Sequence, residues 1–283
     1  MGMIVPKKVV RIHLDNDILA GLVRDDVARD HVGRLRRDGA KIYLSPSVVH
    51  EMARAGLKTR GQLIDAALTF CDGMTNMQAH EIFEAEIRAA IRGSALPRYP
   101  YDDIRRISDL EQVRTDEGRV KVLGEWKRHD QEPTKPQWAA FLDGFVAEID
   151  DAEANRVREF PQYKDFLAHR FGVFRGTLEG LAQPLFAAEG IKMHEHGKIA
   201  KRWHNASPMH GLLFANNLIS ANVYRRAKSQ GKASGCMTDL RNIIEAAHGD
   251  RFLTRDKDLV ASGRLAASVT TKALLRIELV PSP

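Results

Sequence analysis

The sequence predicts an α/β fold, a parallel sheet flanked by helices, and two observations carry this prediction. First, strand-like apolar runs alternate with segments of helical periodicity near both ends of the 283-residue chain. This alternation is typical of parallel sheets, because each helix returns the chain to the starting edge of the next strand. Second, the periodicity from about residue 61 to 209 is mostly helical. We therefore expect one α/β domain, formed by residues 1–60 and 210–283, with a large α-helical insertion at 61–209.

The N-terminal part contains two successive strand-helix units. Val9 to Leu14 alternates β-branched with other side chains and predicts a strand, and helical spacing follows from Asp15 to Gly39. A second strand-like run covers Lys41 to Leu44. The dipeptide Ser45-Pro46 is typical of a helix start and predicts a helix that runs to Leu57.

The C-terminal part repeats this pattern. It predicts a helix from about Asp239 to Ala247, a strand at Arg251 to Thr254 and a last strand-like run at Ala273 to Val280. The sheet is therefore expected to form from both ends of the chain.

The middle of the chain predicts several helices. One opens with a capping box at Thr75 to Gln78 and ends near Gly93, and two others cover Pro136 to Arg158 and Pro208 to Lys228. Proline and charged residues in LPRYPYDD and KRHDQEPTKPQ predict exposed connections between helices.

Composition and charge favour an intracellular protein with a polyanionic partner. The chain has 43 Lys and Arg against 37 Asp and Glu, a formal net charge of +6, and cationic side chains gain affinity by releasing counterions from phosphates. Its two cysteines are too few for a disulfide framework. The N-terminus MGMIVPKK lacks an apolar signal region, and apolar runs stay short of the ~18 residues that span a bilayer. We expect a cytoplasmic protein that does not enter the membrane.

Four acidic residues border the predicted strands and helices. Asp15 and Asp256 follow strands, whereas Glu51 and Asp239 lie on the adjoining helices. Ligands of parallel α/β sheets bind beyond the carboxyl ends of the strands, where these side chains are expected to converge. Hard cations such as Mg²⁺ prefer carboxylates combined with water and phosphate oxygens. A site of this kind activates water for attack on a phosphodiester.

Four segments carry a resemblance to a known family. HLDNDIL, LSPSVVHEM, DLRNIIEAA and FLTRDKDL resemble the motifs of the PIN-domain nucleases, a superfamily that includes the ribonuclease toxins of prokaryotic toxin-antitoxin pairs. The resemblance covers roughly the first 58 and the last 75 residues. It implies a PIN-like, Rossmann-like parallel sheet, with Mg²⁺ or Mn²⁺ bound by Asp15, Glu51, Asp239 and Asp256 and supported by Thr254.

The chain departs from the family pattern at two points. Asp17 stands where the family usually has Ser or Asn, and it either adds a metal ligand or caps a helix. Glu51 and Asp239 are separated by 239 − 51 = 188 residues, far more than in compact toxins. Asp258 is a further candidate ligand, with a solvated loop acid as the favoured interpretation. Ser45, at the end of the second strand, is a candidate supporting residue.

The function expected from these residues is a Mg²⁺- or Mn²⁺-dependent nuclease of RNA or single-stranded nucleic acid. A metal-bound water is the expected nucleophile, and the helical insertion is expected to select the substrate. The sequence leaves open an antitoxin or other protein partner and a homodimer.

Two other functions were weighed against the nuclease. A non-catalytic nucleic-acid-binding or scaffolding protein would keep the fold and the basic charge. A phosphohydrolase of the haloacid dehalogenase type would use Asp15 as nucleophile and Asp17 as acid/base. That family's late Gly-Asp pair follows a strand, whereas Gly249-Asp250 precedes one here, so the phosphohydrolase ranks below the nuclease.

The segment KMHEHGKIAKRWHNASPMH is a candidate nucleic-acid interface. Its cationic side chains would follow a phosphate backbone, while an indole stacks on a base. The residues expected to do this are Lys198, Lys201, Arg202 and Trp203. Lys257, beside the acidic site, is a further candidate for binding nucleic acid. A solvated face that packs one tryptophan is an equally favoured interpretation. An H-x-H pair at His194 and His196, placed in a strand, would suit a transition metal, but a loop-rich basic surface is favoured.

Overall fold

The computed structural model describes residues 9–96, 99–106, 108–129, 135–228, 236–272 and 274–283. Its strands are β1 (Arg11–Leu14), β2 (Lys41–Leu44), β3 (Gly73–Thr75), β4 (Tyr101–Asp103), β5 (Arg251–Thr254) and β6 (Arg276–Leu279). They form one six-stranded sheet in the order β4-β3-β2-β1-β5-β6. Every neighbouring pair is parallel except β3 and β4, which are antiparallel. The predicted α/β class with a mostly parallel sheet is confirmed.

Helices flank the sheet and form the middle of the chain. In the first half they are α1 (Asn16–Arg24), α2 (Asp26–Arg37), α3 (Pro46–Arg54), α4 (Leu57–Phe70), α5 (Ala79–Arg92), α6 (Ser108–Gln112) and α7 (Asp116–His129). In the second half they are α8 (Lys135–Glu159), α9 (Tyr163–Ala188), α10 (Met193–Ala206), α11 (Met209–Lys228), α12 (Cys236–Ala246) and α13 (Lys257–Val269). The predicted large helical segment is confirmed as α8 to α11.

The strands that position the acidic residues were predicted closely. β2 and β5 have the predicted bounds, whereas β1 and β6 are shorter than the apolar runs that predicted them. The single helix expected after β1 is two helices, α1 and α2, which meet at Asp25. Asp25 has extended backbone angles, and its carboxylate accepts a hydrogen bond from the Ala28 N–H at 2.9 Å, so it caps α2.

Two strands come from the segment predicted to be helical. β3 holds Thr75, so α5 starts later than expected, with Gln78 as its N-cap and Glu81 completing the capping box. β4 lies within LPRYPYDD, which was wrongly predicted to be only an exposed connection. A Cβ at Gly73 would lie 2.3 Å from the Asp102 carbonyl oxygen, so glycine permits the close approach of β3 and β4.

The basic segment KMHEHGKIAKRWHNASPMH also differs in secondary structure from what its sequence predicted. Residues 193 to 206 form α10, so His194 and His196 lie on a helix and the expectation of a strand or loop is wrong. Part of the predicted connection KRHDQEPTKPQ lies outside the described residues. No helix in the described ranges is long and apolar enough to cross a membrane.

Two buried clusters hold the layers together on the two faces of the sheet. Ile12, Leu14 and Ile42 pack with the apolar faces of α1 to α4. Phe252 and Ile277 pack with apolar residues of α5, α10, α11, α12 and α13. Burial on both faces anchors β1 and β5 side by side, and the residues that follow these strands emerge at one edge of the sheet.

Candidate active site at the carboxyl edge of the sheet

Asp15 follows β1 and lies beside the end of β5. Its side chain is 7% exposed and accepts hydrogen bonds from the Asn16 N–H at 2.8 Å and the Thr254 hydroxyl at 2.7 Å. The Thr254 oxygen in turn accepts from the Asp256 N–H at 3.0 Å. Burial, followed by the neighbouring Asp17 carboxylate, raises the pKa of Asp15 to about 8. Thr254 thus links the acids that follow β1 and β5.

Asp17 is held against the same strand end by Arg255. The Arg255 N–H donates to Asp17 Oδ2 at 2.7 Å, while its guanidinium donates to both carboxylate oxygens of Asp25 at 2.9 and 3.0 Å. Asp17 Oδ1 is buried and has no hydrogen-bond partner among the residues that the structure describes. Burial raises the pKa of Asp17 despite the Arg255 hydrogen bond. One oxygen of Asp17 is therefore fixed by the Arg255 backbone.

Glu51 and Asp239 approach each other from α3 and α12. Burial and the Asp239 charge raise the pKa of Glu51 to about 7. Burial and the charges of Asp256 and Asp17 raise the pKa of Asp239 to about 6. Glu51 Oε2 is buried, and no hydrogen-bond partner for it lies within the described part of the chain. Like charges disfavour ionisation of one another, and each of Asp15, Asp17, Glu51, Asp239 and Asp256 interacts electrostatically with at least one other acid of this set.

Asp256 caps α13 at the edge of this neighbourhood. Its Oδ1 accepts from the N–H groups of Asp258 at 2.6 Å and Leu259 at 3.2 Å. The Asp258 side chain is exposed and lies 3.7 Å from an Arg226 nitrogen in an ion pair. Lys257, the first residue of α13, is exposed. The structure therefore brings Asp256 to the acidic cluster and places Asp258 in an ion pair on the surface.

A buried polar contact between α3 and α12 was not anticipated from the sequence. The Ser45 hydroxyl donates to Asn242 Oδ1 at 2.8 Å, and the Ser47 N–H donates to Glu245 Oε2 at 2.9 Å. Glu245, rather than Ser45, therefore satisfies a backbone donor at the start of α3. Burial raises the pKa of Glu245 to about 7, against the lowering effect of the Ser47 hydrogen bond.

This contact sets the spacing of two site acids, because α3 carries Glu51 and α12 carries Asp239. The signal for it was present in the sequence. Asp239, Asn242 and Glu245 recur every third residue, which places three polar side chains along one stripe of a helix. Ser45 therefore supports the site indirectly, through Asn242.

The cluster offers oxygen donors suited to a hard cation. Two of its buried oxygens, Asp17 Oδ1 and Glu51 Oε2, have no partner within the described ranges, and burial of an ionised carboxylate is costly unless it is protonated or compensated by a cation. As placed, no three His, Cys, Asp or Glu side chains in the described ranges form a ready ligand set. Hydrogen bonds to Asn16, Thr254 and Arg255 hold the carboxylates of Asp15 and Asp17 in their present orientations. Carboxylate oxygens of this kind are the donors that Mg²⁺ and Mn²⁺ prefer.

The predicted nucleic-acid interface is only partly accessible. Trp203 is 1% exposed and its Nε1 donates to Glu86 Oε2 at 3.1 Å inside the core, so stacking of a base on Trp203 is ruled out. Lys198 and Lys201 are exposed and Arg202 is half-buried. The interpretation of α10 as a solvated face that packs one tryptophan describes Trp203 correctly.

The H-x-H metal pair, the less favoured interpretation of this region, would need His194 and His196 on one face of a strand, but both lie on α10. His196 contacts the Ile191 carbonyl at 3.2 Å, and His194 is exposed. His204, on α10, instead contacts two neighbouring helices. Its Nδ1 lies 2.9 Å from His210 Nδ1 on α11, and its Nε2 lies 2.8 Å from Glu179 Oε1 on α9.

Comparisons with known proteins give this chain no family. No family model matches it, no curated protein matches its sequence and no solved structure matches its fold. The PIN-like assignment accordingly stays a prediction that depends on the motifs and on the geometry of the acidic cluster.

Proposed function

We propose that the chain is a Mg²⁺- or Mn²⁺-dependent nuclease of the PIN type, acting on RNA or single-stranded nucleic acid. The observation that carries the proposal is the convergence of Asp15, Asp17, Glu51, Asp239 and Asp256 at the carboxyl edge of a parallel sheet. Uncompensated buried carboxylates are costly and are commonly retained for chemistry. A formal charge of +6 on the whole chain is consistent with a polyanionic substrate.

Each acid has a distinct task in this proposal. Glu51 and Asp17 would hold the cation through the buried oxygens that lack partners, with Asp239 between them. Asp15 is kept in place by Thr254, and Asp256 is kept in place by the start of α13. When bound, the cation would supply charge stabilisation for the phosphate and lower the pKa of a coordinated water.

The chain's own residues then control protonation and access. At neutral pH the raised pKa values leave some of these carboxyls protonated, so cation binding must displace protons. Activity should therefore rise with pH through the range of about 6 to 8 set by Asp239, Glu51 and Asp15. The ionised forms are the ligands.

A cleavage assay tests the proposal directly. Purified wild type should cut an end-labelled single-stranded RNA in Mn²⁺ and stop when a chelator is added. Asp15→Asn and Asp239→Asn should lose at least about 100-fold in rate, the usual scale for removing a preorganised charge from an active site. Cleavage by both variants at the wild-type rate would overturn the proposal. RNA binding without cleavage in any divalent cation would instead support the scaffolding alternative.

A further inference from the structure

Strand β6 forms one edge of the sheet, and among the described residues only one side of its backbone is paired with a strand. The N–H groups of Arg276 and Val280 donate to the carbonyls of Asp250 at 3.1 Å and Thr254 at 2.8 Å. In a parallel ladder, alternate residues bond to the same neighbour, so the N–H and C=O groups of Ile277 and Leu279 point to the other side. Within the described ranges, β5 is the only strand paired with β6. The outer side of β6 is therefore a template for another strand.

A groove of about 640 Å³ runs beside this open edge, between β6 and α13. Its apolar wall includes Val260, Ala267 and Ile277, and Gly263 keeps α13 close to β6, since a Cβ there would lie 3.0 Å from the Ile277 Cβ. Leu279, two residues along the same face of β6, is 45% exposed. An added strand would place every second side chain over this apolar wall.

Charge distinguishes this edge from the opposite one. Arg264, Lys272 and Arg276 line the groove, and its single acid, Glu278, already pairs with Arg251 and Arg276. The edge strand β4, by contrast, ends in two exposed carboxylates, Asp102 and Asp103. Acidic side chains protect an edge from strands that carry carboxylates, whereas cations beside an exposed leucine attract them.

We propose that the outer edge of β6 binds an extended segment of a partner protein in which carboxylate and apolar side chains alternate. Main-chain hydrogen bonds to Ile277 and Leu279 would supply affinity, the groove would take the apolar side chains, and Arg264 and Lys272 would select the carboxylates. A second copy of the chain fits less well, because it would bring the rim cations Arg264 and Lys272 of both copies together. This surface is independent of the proposed nuclease site.

The test uses the full chain and a fluorescein-labelled peptide that alternates Glu and Val, followed by fluorescence anisotropy. Wild type should bind this peptide saturably. Binding should weaken by about tenfold for a twin peptide with Lys in place of Glu, and by a similar factor for a peptide N-methylated on alternate amides. Leu279→Pro, which removes an outward N–H, should lose about tenfold, whereas Leu279→Ala should stay within about threefold.

The surface variant Arg264→Glu/Lys272→Glu gives a second test that does not alter the strand. It should reverse the preference between the Glu and Lys peptides while the melting temperature stays at the wild-type value. Absence of saturable binding, or equal binding of the N-methylated peptide, would overturn the proposal. Dimerisation of wild type in sedimentation, lost in Leu279→Pro, would assign the edge to a second copy and overturn the proposed partner.

Discussion

Two buried acidic sites in this protein, Glu86 and the acids at the carboxyl edge of the sheet, differ in the groups that surround their carboxyl oxygens. Glu86, on α5, is fully buried, yet its oxygens meet the Trp203 indole N–H at 3.1 Å and His248 Nε2 at 2.8 Å. At the carboxyl edge of the sheet, acids instead lie near other acids, and among the described residues Glu51 Oε2 and Asp17 Oδ1 have no hydrogen-bond partner. A buried acid with hydrogen-bond donors is satisfied within the fold, whereas a buried acid without them is costly to ionise unless a cation compensates its charge. The comparison separates a structural acid from candidate catalytic ones.

The largest expected effect is on cleavage, in the matched pair Glu51→Gln and Glu86→Gln. Glu51→Gln should reduce Mn²⁺-dependent RNA cleavage by at least about 100-fold, because it removes a charged ligand from the cluster. Glu86→Gln should stay within about threefold of wild type once folded, a difference of less than 1 kcal/mol. Single-turnover cleavage rates measure both. Equal losses of cleavage rate in the two variants would contradict the distinction between a structural Glu86 and a catalytic Glu51.

Stability should show the reverse order for the same pair. Glu86→Gln should lower the free energy of unfolding by about 1–3 kcal/mol, since it weakens hydrogen bonds to a buried charge. Glu51→Gln should leave stability unchanged or raise it near pH 8, because it removes a repelled carboxylate. Urea unfolding monitored by tryptophan fluorescence gives both values. A strongly destabilised Glu51→Gln would mean that Glu51 is itself a structural acid.

The pH dependence of stability follows from the raised pKa values. An acid whose pKa is higher when folded binds more protons in the folded state, so stability falls as pH rises from its unfolded value toward its folded value. For Asp15 that range runs from 3.8 to about 8, and for Glu51 from 4.5 to about 7. Measured relative to Asp15→Asn, metal-free wild type should lose roughly 1–3 kcal/mol between pH 5 and pH 8; this difference cancels the opposing effect of the buried histidines, whose pKa values are lowered.

Asp15→Asn and added Mn²⁺ are the controls for this pH effect. The substitution should flatten the stability curve, and Mn²⁺ should restore stability at pH 8 by mass action. Urea unfolding across pH detects both changes. A metal-free wild type whose stability relative to Asp15→Asn does not fall from pH 5 to pH 8 would contradict the described burial of Asp15.

Breaking the contact between α3 and α12 should have a smaller effect, on both stability and cleavage. Glu245→Leu removes the acceptor for the Ser47 N–H and should cost about 1–3 kcal/mol of stability. Because the contact spaces Glu51 and Asp239, cleavage should also fall, by about tenfold at a temperature where the variant is folded. Glu245→Gln, which keeps an acceptor, should recover most of both losses. Stability loss with an unchanged rate would make the contact purely structural.

The smallest effect is expected for the exposed lysines of α10. Lys201→Ala should leave stability within about 0.5 kcal/mol of wild type. If α10 contacts the substrate, RNA affinity should fall severalfold and the salt dependence of binding should drop by about one unit per lost contact. Filter binding across salt concentrations measures both the affinity and its salt dependence, and the Lys198→Ala variant is measured in the same way. Unchanged binding in both variants would exclude α10 from the interface.

The elements that hold the acids could be predicted from local sequence, whereas other features depend on distant contacts. The apolar runs at Lys41–Leu44 and Arg251–Thr254 gave the correct strands, because both faces of the sheet bury them. β4 was missed because YDD has no apolar run, and pairing with β3 alone makes it a strand. Local pattern carries no information about such long-range pairing.

The same limit applies to the candidate site. Asp15 and Asp256 were predictable because each directly follows a strand, and Thr254 because it ends β5. The Trp203 indole was misassigned, since its partner Glu86 is 117 residues away in the sequence. The contact of Ser47 with Glu245 spans 198 residues, so only the polar stripe of α12 hinted at it. Sequence indicated the acids, and folding determines which of them have partners.

Calorimetric titration with Mn²⁺ near pH 7.5 tests the central claim most directly. The claim is that the acids at the carboxyl edge of the sheet form an unmatched cluster that a divalent cation completes. Wild type and Glu86→Gln should bind Mn²⁺ with similar affinity and release protons, whereas Asp239→Asn should lose that binding by about 100-fold or more. Equal Mn²⁺ binding by wild type and Asp239→Asn, or no binding by wild type, would contradict the claim.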